Sequence, residues 1–346
     1  MNIADIMRLL ILATLSFGIA FLMTPALTRF LYKFKLGKQI RDSATAPIAS
    51  GLHKSKSGTP TMGGILVWLT TLFLAVIFSY GYKIFGWKLF GYLDFLSRPQ
   101  TLLPLGALVA SALVGLVDDW FNVKKIGPAG GGLSMRHRLL MYALIATVGA
   151  LWFYYKLEWD VIHIPFLGNF NIGLWYIPLF IFVIVATSFS VNETDGLDGL
   201  AGGTLLAAFT AYAAIAFMQG KTDLAAFCVV IAGALLAFLW FNINPARFFM
   251  GDTGAMSLGV TLGIVAMLTN TLILLPLIGF VFMLESASVI IQTISKKIRK
   301  KKIFLSSPIH HHFEALGWSE PRIVMRFWII SAIGTILGLI LFLVEK

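Results

Sequence analysis

The chain has 346 residues, of which 58% are hydrophobic and only 12% are charged, and its mean hydropathy is +0.86. An ordinary soluble domain carries about twice that charged fraction, so the composition excludes one and indicates a polytopic membrane protein. A single cysteine, Cys228, excludes a disulfide framework, a cysteine zinc cluster and thiol redox chemistry within one chain.

Apolar runs of about 20 residues predict ten membrane-spanning helices. In chain order they cover residues 6–32, 61–80, 101–118, 138–155, 174–191, 200–218, 224–241, 254–268, 272–294 and 324–344. The eighth run is the weakest because it is short, and a re-entrant segment there would change the topology by one span. We therefore expect an all-α polytopic membrane protein of about ten transmembrane helices, with residues 1–346 forming one domain.

The distribution of basic residues predicts the orientation. Ten spans place both termini on one face and segments 33–60, 119–137, 192–199, 242–253 and 295–323 on the other, and these five segments hold seventeen Lys and Arg against seven on the face of the termini. The positive-inside rule makes the richer face cytoplasmic and puts the termini on the extracytoplasmic side. Topology and attraction for an anionic substrate or lipid phosphate account for the net charge of +11, so no nucleic-acid partner is expected.

Acidic residues collect on that predicted cytoplasmic face, which we expect to carry the active site. Asp118 and Asp119 close an apolar run, while Asp195, Asp198 and Asp252 lie in short hinges between spans. Clustered carboxylates repel one another unless a cation or a basic neighbour intervenes, which favours a hard divalent ion such as Mg²⁺. The alternative is that Asp198 and Asp252 cap the helices that follow them.

Glycines accompany these acids and indicate anion binding. Gly196 and Gly251 lie beside the hinge acids, and the stretch from Gly58 to Gly64, which includes Thr59, follows Lys54 and Lys56. Glycine at the start of a helix lets backbone amide groups approach a phosphate closely. Glycine beside a span also permits close helix packing, which is the other interpretation of the Gly58 to Gly64 stretch.

Three consecutive histidines, His310, His311 and His312, lie in the last predicted cytoplasmic segment. Consecutive residues of a helix point about 100° apart, so the three are poorly placed to bind one metal ion. Contact with phosphate or transfer of a proton suits one or two of them better. A surface cluster without a function is the alternative.

Amides, an aromatic ring and one further acid complete the candidate set. Asn192 and Asn242 have amide groups that can recognise a base or sugar edge, and the Phe249 ring can stack on a base, although each also suits a helix end. Glu285 and Gln292 are seven residues apart on one predicted helix, so we expect both to face the same cavity.

The ordered motifs resemble the phospho-N-acetylmuramoyl-pentapeptide transferase family over nearly the whole chain. They are Asp118-Asp119, Asn192 to Gly199, Asn242 to Asp252, Pro308 to Glu314 and Gly317 to Pro321. The related polyprenyl-phosphate N-acetylhexosamine-1-phosphate transferases share the paired acids and the Asp-Gly-Xaa-Asp-Gly hinge. The triple histidine after Pro-Ile separates the muramoyl branch from them.

The resemblance implies a reaction in the bacterial inner (cytoplasmic) membrane. Phospho-MurNAc-pentapeptide passes from its UDP carrier to undecaprenyl phosphate with Mg²⁺, giving lipid I and UMP. Asp252 is the implied metal ligand, with Asp118 and Asp119 as further candidates; Asp118 would deprotonate or orient the lipid phosphate, and His310 joins the catalytic set. The expected substrate-binding residues are Lys54, Lys56, Thr59, Asn192, Asp195, Gly196, Leu197, Asp198, Asn242, Phe249, Glu285, Gln292, His311 and His312. A double displacement through an aspartate nucleophile is an alternative to direct attack.

Two positions depart from the family pattern, and the sequence leaves two other functions open. Glu193 replaces an apolar residue, and Arg138 replaces a lysine, which keeps the charge but changes its shape. A transferase that uses UDP-HexNAc in another glycan pathway is the nearer alternative, and an ion-coupled transporter is the farther one. A homodimer is expected from the family and from the general frequency of two-fold assemblies.

Overall fold

The computed structural model describes residues 2–37, 56, 58–98, 100–128 and 131–346. Lys54, one of the expected substrate-binding residues, lies outside them. The α-helices of the described residues are α1 Ile3–Lys33, α2 Ile65–Phe85, α3 Lys88–Leu93, α4 Leu102–Val123, α5 Met135–Leu151, α6 Tyr176–Thr194, α7 Leu200–Met218, α8 Thr222–Asn242, α9 Asp252–Leu268, α10 Leu275–Ile278, α11 Phe280–Ile298, α12 Ile309–Ala315 and α13 Glu320–Glu345. A short antiparallel hairpin joins β1 Val161–Ile164 to β2 Gly168–Asn171, with Ile164 opposite Gly168.

The structure confirms the mostly helical architecture and the apolar, membrane-type character of the long helices. Within the described residues, eight helices are long and apolar enough to cross a membrane, and α9 is a shorter apolar helix of 17 residues. The predicted ninth span differs from a straight helix, because Leu272–Ile278 and Phe280–Ile298 meet at an angle of 85°. Gly279 separates the two pieces, and glycine is a weak helix former.

Helix α9 lies at the centre of the bundle, where every residue from Thr253 to Leu268 is buried. It packs against α4 on one side and α6 on another, while α8 packs between α1 and α7. Small residues allow these close approaches: an ideal Cβ atom at Gly259 would lie 2.7 Å from the Cα atom of Ser188 on α6. The short eighth run of the sequence prediction is therefore the most enclosed of the described helices.

The loops gather at two ends of the bundle. At one end, Arg8 of α1 forms a 2.9 Å ion pair with Asp223 at the start of α8, and Glu345 at the end of α13 contacts His163 of the hairpin at 2.7 Å. The motif-bearing segments meet at the other end. The side of the membrane that each end faces remains a prediction from the distribution of basic residues.

A contrast between two glycines of α4 tests the central packing. An ideal Cβ atom at Gly115 would lie 2.5 Å from the carbonyl carbon of Asp252, whereas one at Gly106 would meet nothing within 4 Å. Gly115→Ala should therefore destabilise the fold by about 1–3 kcal/mol through overpacking. Thermal unfolding of the detergent-solubilised protein measures the effect.

The matched control is Gly106→Ala, which adds the same methyl group to the same helix in open space. Its unfolding midpoint should equal or slightly exceed that of the unsubstituted protein. An equal decrease of the unfolding midpoint in the two variants would contradict the packing of α4 on α9.

Candidate active site

A guanidinium group joins two of the expected acids where α4, α5 and α9 meet. Arg138 Nη1 lies 3.0 Å from Asp252 Oδ2 and 3.5 Å from Asp118 Oδ2. The other Asp252 oxygen accepts a 2.8 Å hydrogen bond from Asn192 Nδ2, and the Asp118 Oδ1 atom accepts one from the backbone amide of Leu133. The positive charge of Arg138 offsets the mutual repulsion of two carboxylates that are otherwise largely withdrawn from water.

Asp119 contributes in a different way, by capping α9. Its carboxylate accepts hydrogen bonds from the backbone amides of Asp252 at 3.2 Å and Thr253 at 3.0 Å. These amides belong to the first turn of the helix and have no partner within it. The capping function therefore belongs to Asp119, which reaches across from α4, and Asp252 keeps its side chain for Arg138 and Asn192.

A glycine makes that close approach feasible. Gly251 has a φ of +73°, and an ideal Cβ atom there would lie 2.5 Å from Asp119 Oδ2. Its backbone amide donates a 3.2 Å hydrogen bond to Asp195 Oδ2, which links the two hinges of the site. Any larger residue at position 251 would be strained and would displace the capping carboxylate.

A second polar group surrounds Lys56. Its Nζ atom lies 2.6 Å from Asp198 Oδ1 and 2.5 Å from Glu320 Oε1. Asn244 Nδ2 donates hydrogen bonds to the same two acids, at 3.0 Å to Asp198 and 3.1 Å to Glu320. Lys56 also lies 5.8 Å from the centre of the Phe249 ring. The segments that carry Lys56, Asp198, Asn244 with Phe249, and Glu320 are distant in sequence and meet around this ammonium group.

The backbone of the Gly58 to Gly64 stretch pairs with the segment before α9. The Phe249 amide donates to the Pro60 carbonyl oxygen at 2.8 Å, and the amides of Gly63 and Gly64 donate to the carbonyl oxygens of Phe249 and Met250, both at 2.8 Å. The Thr59 amide donates to the Lys56 carbonyl oxygen at 3.1 Å, which shapes the turn in front of this pairing. These bonds hold the Phe249 ring beside Lys56.

Asn242 and Leu197 hold the hinge between α6 and α7 in place. Asn242 accepts a 2.9 Å hydrogen bond from the Gly199 amide and donates one of 2.8 Å to the Phe248 carbonyl oxygen. Leu197 is buried in a small apolar cluster with Ile309 and Val324. Asn242 and Leu197 therefore hold the hinge in place in this structure, in addition to any contact with substrate.

Helix α12 presents the three histidines to different partners. His310 and Glu285 are both fully buried, with 3.0 Å between His310 Nδ1 and Glu285 Oε2. His311 Nδ1 lies 2.6 Å from Glu314 Oε2, and His312 Nδ1 accepts a 3.2 Å hydrogen bond from the Leu305 amide. The three Nδ1 atoms therefore contact three different partners, although the centres of the His310 and His311 rings lie only 4.1 Å apart.

The second nitrogen of His310 reaches the hinge. An ideal Cβ atom at Gly196 would lie 2.2 Å from His310 Nε2, so this approach requires glycine at position 196. Within the described residues, His310 Nε2 has no hydrogen-bond partner, although it is buried. Glu285 thus aims His310 at the hinge between α6 and α7.

The structure brings most of the predicted residues together and separates one of them. Gln292 Oε1 accepts hydrogen bonds from the amides of Ile303 and Phe304, and its Nε2 atom donates to the Phe304 carbonyl oxygen at 2.8 Å. Gln292 therefore ties α11 to the following loop, whereas Glu285 on the same helix contacts His310.

Sequence reasoning identified Arg138 only as a departure from a pattern and missed Glu320 as a site residue. Arg138 proves to be the bridge between two acids, and Glu320 shares Lys56 with Asp198. The signal for Glu320 was an acid in the first turn of a helix, within the Gly317 to Pro321 motif. Glu193, the other departure, accepts a 2.6 Å hydrogen bond from Ser286 on α11.

The donor set limits where a metal ion could bind. In the part of the chain that the structure describes, no three His, Cys, Asp or Glu side chains lie close enough together to hold a metal ion. Asp118 and Asp252 nevertheless offer hard carboxylate oxygens around one cationic position, held by Arg138. Two such carboxylates suit Mg²⁺, which usually completes its shell with water and substrate phosphate oxygens.

The contacts of Gln292 predict a stabilising role. Gln292→Ala should leave three partly buried backbone groups of the 303–304 loop without partners and lower the stability by about 0.5–1.5 kcal/mol. The thermal unfolding midpoint in detergent measures this. Thr293→Ala is the control, because its exposed hydroxyl contacts only the Val289 carbonyl oxygen of its own helix. An equal midpoint for both variants would contradict the structural role.

Comparison with known proteins places this geometry in a family. Residues 101–270 match the profile "Glycosyl transferase family 4", and residues 56–66 match "Phospho-N-acetylmuramoyl-pentapeptide-transferase signature 1". The chain is 39% identical to a phospho-N-acetylmuramoyl-pentapeptide-transferase of Chloroflexus aurantiacus, over 99% of this chain and 91% of the relative. It is 38% identical to the one of Bacillus subtilis strain 168, over 94% of this chain and 95% of the relative. The chain therefore belongs to the phospho-N-acetylmuramoyl-pentapeptide transferase family.

Proposed function

We propose that this protein transfers phospho-MurNAc-pentapeptide from UDP-MurNAc-pentapeptide to undecaprenyl phosphate, giving lipid I and UMP. The single observation that carries the chemistry is the pair of carboxylates, Asp118 and Asp252, held around the Arg138 guanidinium. The family assignment supplies the substrates. The reaction is a phosphoryl transfer and the first membrane step of peptidoglycan synthesis.

The electrostatics of the site suit a reaction between two anions. A lipid phosphate and a nucleotide diphosphate repel each other, so catalysis depends on positioning them and on compensating their charge. Arg138 and Lys56 offset part of the negative charge of the surrounding carboxylates, and the glycine-rich backbone of the two hinges allows close approach of phosphate oxygens. Mg²⁺, bound through Asp252 and Asp118, would neutralise the diphosphate and the charge that develops on UMP.

Asp118 is the residue that we assign to the attacking phosphate. Its carboxylate is buried at the end of α4, beside the cationic position held by Arg138. A carboxylate there can accept the proton of the lipid phosphate or orient its oxygen toward the β-phosphate of the nucleotide. Asp119 supports the site by holding the first turn of α9, from which Asp252 projects.

The uridine and sugar ends of the donor fit the Lys56 side of the site. The Phe249 ring, held beside Lys56, offers a face for stacking, and Asn192, Asp195 and Asp198 line the adjacent hinge. Helix α12 lies against the same hinge through His310 and Gly196. We assign His311 and His312 to the muramoyl side, with His310 held in place by Glu285.

The substrates require the site to lie where water meets lipid. The site end of the bundle also holds most of the basic residues of the sequence, which favours the cytoplasmic leaflet of a bacterial cytoplasmic membrane. The protein is multi-pass, with both termini assigned to the extracytoplasmic side. A homodimer remains a prediction.

A radiolabel assay tests this function. Purified protein with undecaprenyl phosphate and Mg²⁺ receives labelled UDP-MurNAc-pentapeptide or labelled UDP-GlcNAc in separate reactions. We expect UMP and butanol-extractable label from the first donor only. Asp252→Asn should lower the rate by at least about 100-fold, even at high Mg²⁺, because it weakens both the metal ligand and the partner of Arg138.

Asp5→Asn is the matched control, since it removes an aspartate from the first turn of α1 at the other end of the bundle. Its rate should equal that of the unsubstituted protein. Label from UDP-GlcNAc alone would assign the chain to another glycan pathway, and no UMP from either donor would contradict the proposed reaction. An Asp252→Asn rate equal to that of the unsubstituted protein would argue against direct metal binding by Asp252.

A further inference from the structure

A second concave surface lies between α1 and α8 at the same end of the bundle as the acids. It encloses about 260 Å³, and its lining includes Pro25, Arg29, Tyr32, Phe241 and Arg247. None of the acids, amides or histidines of the candidate active site lines it. We call this surface the basic groove.

The charge of the basic groove is uncompensated within the described residues. Arg29 and Arg247 are both exposed, no acidic side chain lines the groove, and neither guanidinium forms an ion pair with a described carboxylate. The Arg247 guanidinium lies 5.4 Å from the centre of the Phe241 ring, which holds it against an apolar wall. Arginine has the planar, forked geometry that suits two oxygens of one phosphate.

The helix surfaces that lead to the groove are apolar. Leu22 on α1 is 78% exposed and Trp240 on α8 is 68% exposed, and Phe21 and Trp240 pack edge to face with 6.0 Å between ring centres. A surface that is apolar along the helices and cationic at their ends matches a lipid, whose acyl chains adjoin its phosphate. A soluble anion would gain nothing from the apolar part.

We propose that the basic groove binds the phosphodiester headgroup of an anionic phospholipid, whose acyl chains lie along the apolar surface of α1 and α8. The site is separate from the acids that serve the proposed transfer, and the inference does not depend on that transfer. Its occupant is a resident lipid of the surrounding membrane.

The basic groove is linked by backbone hydrogen bonds to the connection between α8 and α9, which also carries residues of the candidate active site. The Tyr32 hydroxyl donates a 3.2 Å hydrogen bond to the Arg247 carbonyl oxygen, and the Arg247 amide donates to the Phe241 carbonyl oxygen at 2.9 Å. Arg247 lies in the same connection as Asn244 and Phe249. A lipid held by Arg29 and Arg247 therefore fastens this connection to α1.

Native mass spectrometry of the full-length protein in detergent tests the site, with phosphatidylglycerol as the probe. The tightest-bound phosphatidylglycerol should dissociate about ten- to thirty-fold more readily from Arg29→Gln/Arg247→Gln, because two basic contacts are lost. The matched control is Lys301→Gln/Lys302→Gln, which removes two exposed charges from the loop after α11. It should change that dissociation constant by less than about two-fold.

A comparison of lipids on the unsubstituted protein needs no variant. Phosphatidylglycerol should be retained in preference to phosphatidylcholine, and inorganic phosphate should not displace it. Equal retention of the two lipids would overturn the proposal, and so would an equal loss of phosphatidylglycerol binding in the arginine and lysine variants. Either result would indicate diffuse electrostatic attraction of the lipid to the whole basic face. Displacement by equimolar undecaprenyl phosphate would reassign the groove to the lipid substrate, and a change of oligomeric state in the arginine variant would reassign it to contact between copies.

Discussion

The site depends on charge compensation among carboxylates that an apolar bundle gathers at one end. Burying an unpaired charge costs several kcal/mol, and two buried carboxylates near each other cost more. The positive charge of Arg138 offsets the cost of burying Asp118 and Asp252, and that of Lys56 offsets the cost of burying Asp198 and Glu320. Each cation is held by acids from different segments of the chain, so the ion pairs that offset the burial of these acids also set the positions of the helix ends.

The helix packing serves this arrangement. Because α9 is buried over its whole length between α4 and α6, its first turn has a fixed position, and Asp252 projects from that turn. Asp119 holds the turn by its amides, and glycines at positions 115 and 251 allow α4 to come close enough for this contact. A phosphoryl transfer that relies on positioning benefits from such a rigid frame.

The sequence predicted much of this and could not predict the rest. Apolar runs located the helices, and the positions of Asp118, Asp195 and Asp252 at the ends of those runs indicated their convergence. Capping of α9 by Asp119 was not predictable, because the two partners lie on different helices and a capping residue is normally sought in the sequence just before its helix. The break at Gly279 was also missed, since hydropathy does not distinguish a bent apolar segment from a straight one.

Gln292 shows a related limit. Its spacing of seven from Glu285 correctly placed the two side chains on related faces of α11, yet each binds a different neighbour. Periodicity identifies the face of a helix and says nothing of the loop that will cover it. Glu320 was hidden for the same reason, because its partner Lys56 precedes it by 264 residues.

The most direct test of charge compensation is a double-mutant cycle between Asp118 and Arg138, measured as the thermal unfolding midpoint in detergent. Arg138→Gln alone should destabilise the protein, because Asp118 and Asp252 then face each other without a cation. Adding Asp118→Asn should restore much of the loss, because the repulsion disappears with one of the two charges. Losses that simply add in the double variant would contradict the account.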